Sequence, residues 1–298
     1  MINELQIQHY NFRFVKNSVL FTIGIMVLYQ FAGGILSLIF SETKQNHVYG
    51  WLVGLSQISL ILLPTYLASK TFPLVSVQLF RLNRTPELKV IILAVIGLIA
   101  LNIFAAGFQV VQQALVPSSL IQIYNTLQQS IEKEYLAILG GSSVYDLFKA
   151  IIVASVIPAI CEESLFRGLL QRSLEEKLTP LNAILISGAM FGFVHFNPID
   201  IVPLVIIGFY LGILAYISQS LLLPVLIHFL NNLIAILLLY YVLPGQITFE
   251  ADVIPLQPAL LLTFSGFFLL SVTVYYLWKM RIEGKEEKGY SATDSEDI

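Results

Sequence analysis

Charge is scarce in this chain. Only 12% of its 298 residues are Asp, Glu, Lys or Arg, while 57% are hydrophobic, and the mean hydropathy is +0.80. A soluble domain carries about twice that share of charge, so a soluble globular protein is excluded and a polytopic membrane protein is indicated. A single cysteine, Cys161, excludes an internal disulfide and any cysteine-built metal cluster. No basic patch is interleaved with aromatics, and a net charge of −3 gives no footing for nucleic acid. The first sixteen residues hold Arg13 and Lys16 ahead of a long apolar run but lack the short core and small-residue cleavage site of a secretory signal, so the first span is expected to stay. No internal repeat or low-complexity tract appears. The chain reads as one membrane domain, residues 1–280, followed by a charged, aperiodic tail, 281–298, expected to be disordered and cytoplasmic.

What is present is a series of apolar runs. Crossing a hydrocarbon core of roughly 30 Å takes about 20 helical residues. About eight runs meet or approach that length, near 17–40, 48–69, 89–115, 144–172, 181–197, 199–218, 221–243 and 258–280. The fold class is therefore all-α, a bundle of about eight transmembrane helices. The run at 181–197 is the shortest, stopped by Asn197-Pro198, and is expected to cross only part of the way or at a tilt. Between the third and fourth runs, Ile121, Tyr124, Leu127, Ile131, Tyr135 and Ile138 recur at helical spacing. They predict an amphipathic helix, either lying on the outer interface or packed on the bundle.

The central stretch is Ile160 to Gln171, where Glu162, Glu163 and Arg167 interrupt an apolar helix. An ionisable group at mid-bilayer costs roughly 2.5–3.5 kcal/mol on insertion scales and is read as functional by default. Glu163 and Arg167 are four apart, with the acid first, and can form an ion pair on one helix face. Glu162 points about 100° away and is free to face a cavity and act on water. A buried polar staple made of all three groups is the competing reading. Cys161 is read as a small packing residue, with a thiol nucleophile as its alternative.

From Leu178 to Thr248 the only charged residue is Asp200, yet the segment holds His195, His228 and Asn232. His228 and Asn232 are four apart and share a helix face. At about 1.5 Å per residue, Glu162, His195, His228 and Asn232 all lie roughly 10 to 22 Å from the cytoplasmic ends of their spans, close enough to meet in one layer. A glutamate and a histidine can activate water, and a histidine and an asparagine can stabilise an oxyanion, which suffices to hydrolyse an amide. Ser164 has no histidine at helical spacing to activate it, and no His-Glu-x-x-His signature occurs. Two histidines and a glutamate could also hold zinc, so metal-assisted hydrolysis stays open.

Glu162-Glu163-x-x-x-Arg167, Phe191-x-x-x-His195 and His228-x-x-x-Asn232 resemble the three motifs of the CAAX protease and bacteriocin-processing family, the Abi or type II CAAX prenyl endopeptidase group. The approach from Gly208 and Gly212 to Leu223-Pro224 and the third motif is similar as well, so the resemblance covers about 150–235. It implies an intramembrane endopeptidase in which Glu162, with His195, activates water, and His228 and Asn232 form the oxyanion hole, with no cofactor. The implied partners are the lipid bilayer and a peptide or membrane-anchored protein substrate. The brief loops suit a bacterial cell membrane. A non-catalytic immunity or scaffold protein is the alternative, and a proton-coupled transporter is disfavoured because no repeat is visible.

Cytoplasmic loops carry the excess of Lys and Arg. Arg13, Lys16, Lys70, Arg81, Arg84, Lys89, Arg172, Lys177, Lys279, Arg281, Lys285 and Lys288 fall on one side of the predicted spans, against Lys44 and Lys133 on the other. Both termini and the 71–86 loop are therefore expected to face the cytoplasm. In a Cys161→Ala background, a membrane-impermeant thiol reagent added to intact cells should mark Ser119→Cys and miss Ser76→Cys. The reverse pattern would invert the topology.

Overall fold

Prolines and glycines set the shape of the bundle, one by bending helices and the other by letting them touch. The computed structural model describes residues 4–40, 46–70, 79–141, 143–242 and 254–293. Among them every regular element is helical: α1 (Glu4–Phe40), α2 (Val48–Ser69), α3 (Leu88–Leu115), α4 (Ile121–Leu139), α5 (Val144–Leu174), α6 (Pro180–Phe193), α7 (Ile201–Ser218), α8 (Leu222–Tyr241) and α9 (Leu256–Thr293). Seven are long and apolar enough to cross a membrane, and α6 is an apolar helix of only 14 residues. The protein is a polytopic helical membrane protein.

Two wide, i→i+5 bonded turns, Ile58–Leu62 in α2 and Ile152–Val156 in α5, end just before Pro64 and Pro158. A proline has no N–H for the preceding turn, and a widened turn absorbs the lost bond without breaking the helix. A third wide stretch, Ser164–Gln171, follows the glutamates directly. Wide turns put more residues in each revolution, which brings residues four apart closer to eclipsing.

The centre of the bundle is α5, whose Leu165, Phe166, Leu169 and Leu170 are fully buried. It packs against α1, α2, α6 and α8. The α6–α7 pair approaches to backbone contact: a Cβ on Gly188 would lie 2.7 Å from the Gly208 backbone. Small residues at such crossings let membrane helices associate through close packing. On the other flank, α3 and α9 meet through Gly107 against Ala259 and Thr263, and through Gly266 against Phe104.

Two boundaries differ from the sequence reading, and one open placement is decided. The fifth run stops at Phe193, four residues short of 197. Asn197 Oδ1 accepts the N–H groups of Ile199 and Asp200, both at 3.1 Å, and Pro198 biases Asn197 away from helical geometry, so a side-chain turn replaces the last helical turn. Helix α4 packs on the bundle through Glu134, which accepts from Ser37 at 2.7 Å and from Tyr49, while Ile123, Leu127 and Tyr135 stay exposed. Finally, α9 continues to Thr293, into the segment expected to be unstructured; 294–298 lie outside the described residues. The start of α5 is fixed by a capping box in which Ser143 and Asp146 bond each other's backbone N–H, at 3.1 Å each way.

Gly188→Ala should lower the thermal stability of the detergent-solubilised protein by about 1–3 kcal/mol, the usual cost of overpacking. Gly33→Ala, where a Cβ meets nothing within 4 Å, should leave it unchanged. Equal melting temperatures for the two variants would refute the backbone contact.

Candidate active site

Two adjacent carboxylates on α5 enter different environments. Glu163 is fully buried, and its Oε1 accepts from Arg167 Nη1 at 2.9 Å and from His228 Nδ1 at 2.8 Å. Arg167, whose side chain is also 0% exposed, donates from Nη2 to the Gly208 carbonyl at 2.7 Å. Its guanidinium carbon stands 4.7 Å from the centre of the Phe191 ring. The chain Gly208, Arg167, Glu163, His228 therefore ties α5 to both α7 and α8. One carboxylate oxygen of Glu163 meets both donors at once, while Glu163 Oε2 and Arg167 Nε are buried without a hydrogen-bond partner.

Glu162 turns the other way. Its Oε2 is buried without a hydrogen-bond partner and lies 3.8 Å from His195 Nε2. His195 Nδ1 is 2.6 Å from the Phe191 carbonyl oxygen. A carbonyl can only accept, so Nδ1 carries the proton, and in the neutral ring Nε2 presents its lone pair to Glu162. Two acceptors thus face each other across a gap wider than a direct hydrogen bond but suited to a bridging water.

The loop carrying His195 is held from several sides. The N–H groups of Val194, His195 and Phe196 bond back to Met190, Gly192 and Phe193. Phe196 then adopts φ of +49°, a left-handed turn rare for an aromatic residue. Gln30 of α1 donates to the Val194 carbonyl at 2.7 Å. From α3, Gln112 donates to the Ile199 carbonyl at 2.8 Å and Gln109 to Asp200 at 3.1 Å.

The Phe191 ring stands between the two histidines, 4.8 Å from His195 and 5.8 Å from His228. Asn232 is half-buried one helical turn beyond His228. Its Oδ1 accepts from Asn231 Nδ2 at 3.3 Å, and Asn231 Oδ1 in turn accepts from Asn102 of α3 at 3.3 Å. Cys161 is buried in the apolar core. The Ser164 hydroxyl donates to the Ile160 carbonyl at 2.7 Å rather than to a histidine. Among the described residues, no group of three or more His, Cys, Asp or Glu side chains is arranged to hold a metal ion.

Residues 145–234 match the family model of the type II CAAX prenyl endopeptidase Rce1-like proteins. In this segment the chain is similar to that family. No curated protein and no solved structure matches the chain. The Rce1-like segment holds Glu162, Glu163, Arg167, His195, His228 and Asn232, and the match agrees with the family that the motifs resemble. It supports a membrane-embedded protease in general.

The structure pairs Glu162 with His195 and Glu163 with Arg167, as the spacing suggests, and adds partners that spacing does not reveal. The His228–Glu163 contact joins residues 65 apart in sequence, beyond the reach of helical periodicity. Asn102 lies outside the Rce1-like segment but carries a legible signal, being the single polar side chain between Val90 and Phe108. Gln109 and Gln112 sit at the end of the same span and read as ordinary interfacial polarity.

Because Glu163 balances Arg167 and His228 together, Glu163→Gln should destabilise the fold by roughly 3–5 kcal/mol, the cost of stranding a buried charge. Glu162→Gln, which breaks no direct hydrogen bond, should melt with the wild type. Thermal unfolding in one detergent checks this, and equal melting temperatures for both variants would refute the division.

Proposed function

We propose that the chain is a glutamate-dependent intramembrane endopeptidase that cuts a peptide or membrane-anchored protein near the cytoplasmic face. The observation carrying this reading is the buried, unpartnered Oε2 of Glu162 facing the lone pair of His195 Nε2 at 3.8 Å. A water donating to both acceptors is oriented and made more nucleophilic. Its oxygen bonds to the carbonyl carbon of the scissile amide while its proton passes to Glu162, with His195 sharing the charge. The carbonyl oxygen becomes an oxyanion. Asn232 donates to it from Nδ2, and His228, whose Nδ1 bonds Glu163, donates from Nε2 in this scheme when its ring carries both protons. When the C–N bond breaks, the leaving nitrogen takes the proton from Glu162, and the carboxylate is restored.

This division explains why the adjacent glutamates differ. Glu163 is held through Oε1 by Arg167 and His228, and its charge is balanced by the guanidinium. Glu162 has no such commitments. The charge bias of the loops supports both termini in the cytoplasm, and the brief loops suit a bacterial inner membrane. The reaction needs no metal in this scheme. The carboxylate of Glu163 occupies His228 Nδ1, which leaves zinc only Nε2 of that ring.

Carboxy-terminal proteomics on membranes from cells carrying wild type or Glu162→Gln should reveal chain ends present only with wild type. With a peptide so identified, Asn232→Ala should lower kcat by about 10²–10³ and leave KM nearly unchanged. Elemental analysis should find no stoichiometric metal in the purified protein. One zinc per chain, lost in His228→Ala, would overturn the mechanism. The absence of any Glu162-dependent chain end would favour a non-catalytic immunity or scaffold role.

A further inference from the structure

Asn102 lies on α3, outside the three motifs, and it is the single polar side chain between Val90 and Phe108 in an otherwise apolar span. Such a group in a membrane helix turns inward and finds a partner. Asn102 Nδ2 donates to the Leu98 carbonyl of its own helix at 3.0 Å and to Asn231 Oδ1 at 3.3 Å. Asn231 Nδ2 then donates to Asn232 Oδ1 at 3.3 Å. The three amides form a directed chain, each passing its N–H to the next carbonyl oxygen. A primary amide has one acceptor oxygen and one donor nitrogen. Once Asn232 Oδ1 is taken by Asn231, the group left to face outward is its Nδ2, a donor.

We infer that Asn102 is a positioning residue: through Asn231 it fixes the orientation of the Asn232 amide so that nitrogen, not oxygen, meets the substrate carbonyl. The inference rests on the proposed oxyanion role of Asn232 and gives it a physical cause. Free amides of asparagine flip between two orientations of similar shape and opposite polarity. An outward-facing oxygen would repel a developing oxyanion, whereas the nitrogen stabilises it. Leu98 anchors the far end of the chain, since a backbone carbonyl can only accept and so holds Nδ2 of Asn102 as the donor. The polarity of the catalytic amide is thus set by a backbone oxygen on a different helix.

The test uses Asn102→Leu, which keeps the branching of the side chain and suits an apolar span, and Asn102→Asp, which has no amide donor to offer Asn231. In vesicles, with a peptide whose cleavage needs Glu162, Asn102→Leu should lower kcat about tenfold, less than loss of the oxyanion donor itself, with KM unchanged. Asn102→Asp should be at least as impaired. In an Asn232→Ala background Asn102→Leu should cost nothing more, because the relay then has nothing to orient. Additive losses, or a change in KM alone, would overturn the inference. A second readout is independent of turnover. In protein labelled with [15N]asparagine, the side-chain NH2 signals of Asn232, assigned by their loss in Asn232→Ala, should shift in Asn102→Leu and stay in place in Gly33→Ala. Unmoved signals would also overturn it. Shifted signals in a protein with no Glu162-dependent cleavage would uphold the relay and reject the peptidase reading.

Discussion

One carboxylate, Glu163, is required to balance an arginine and a histidine where there is no water, and most of the site follows from that requirement. A guanidinium buried among Phe166, Phe191 and backbone cannot lose its proton, so it needs a counter-charge on a neighbouring side chain. Glu163 supplies it from the same helix, and the widened turns that begin at Ser164 bring the two nearly in line. A second guanidinium nitrogen, Nη2, reaches the Gly208 carbonyl on α7, the helix that Gly188 and Gly208 let α6 touch. His228 completes the set from α8. Three helices are locked in register by one ionic chain, and the apolar packing around it could not specify that register alone.

With Glu163 committed, Glu162 inherits a different environment one residue away. A single step along a helix rotates the side chain by about 100°, enough to move from the ionic cluster of Arg167 and His228 to the face that meets His195. Function is placed beside stability without being mixed with it. Glu162 Oε2 and His195 Nε2 stand 3.8 Å apart with no hydrogen bond between them.

The sequence made much of this legible, and its failures have physical causes. Hydropathy located the spans to within a few residues because a bilayer imposes one length on every helix that crosses it. The pair Glu163 and Arg167 could be read because helical spacing relates residues within a turn. The end of α6 was misplaced by four residues because Asn197 folds back on its own backbone, a choice that apolar content does not record. Helix α4 left two placements open, and the deciding contact from Glu134 to Ser37 bridges 97 residues. The same limit hid the bond from His228 to Glu163 and the amide chain from Asn102. Periodicity reports which face a residue shares, not which helix that face will meet.

The brevity of α6 has a consequence for the lipid around the protein. Fourteen residues rise only about 21 Å, whereas the 28 residues of α3 rise about 42 Å. Leu181, Leu185, Ile186 and Phe193 of α6 are exposed, so this short helix meets acyl chains directly. A bilayer of uniform thickness cannot match both helices. A helix longer than the hydrocarbon tilts, kinks or thickens the bilayer beside it, and one shorter thins the bilayer or draws in its flanking residues. The mismatch in length is therefore greatest on the flank where the chain turns back at His195.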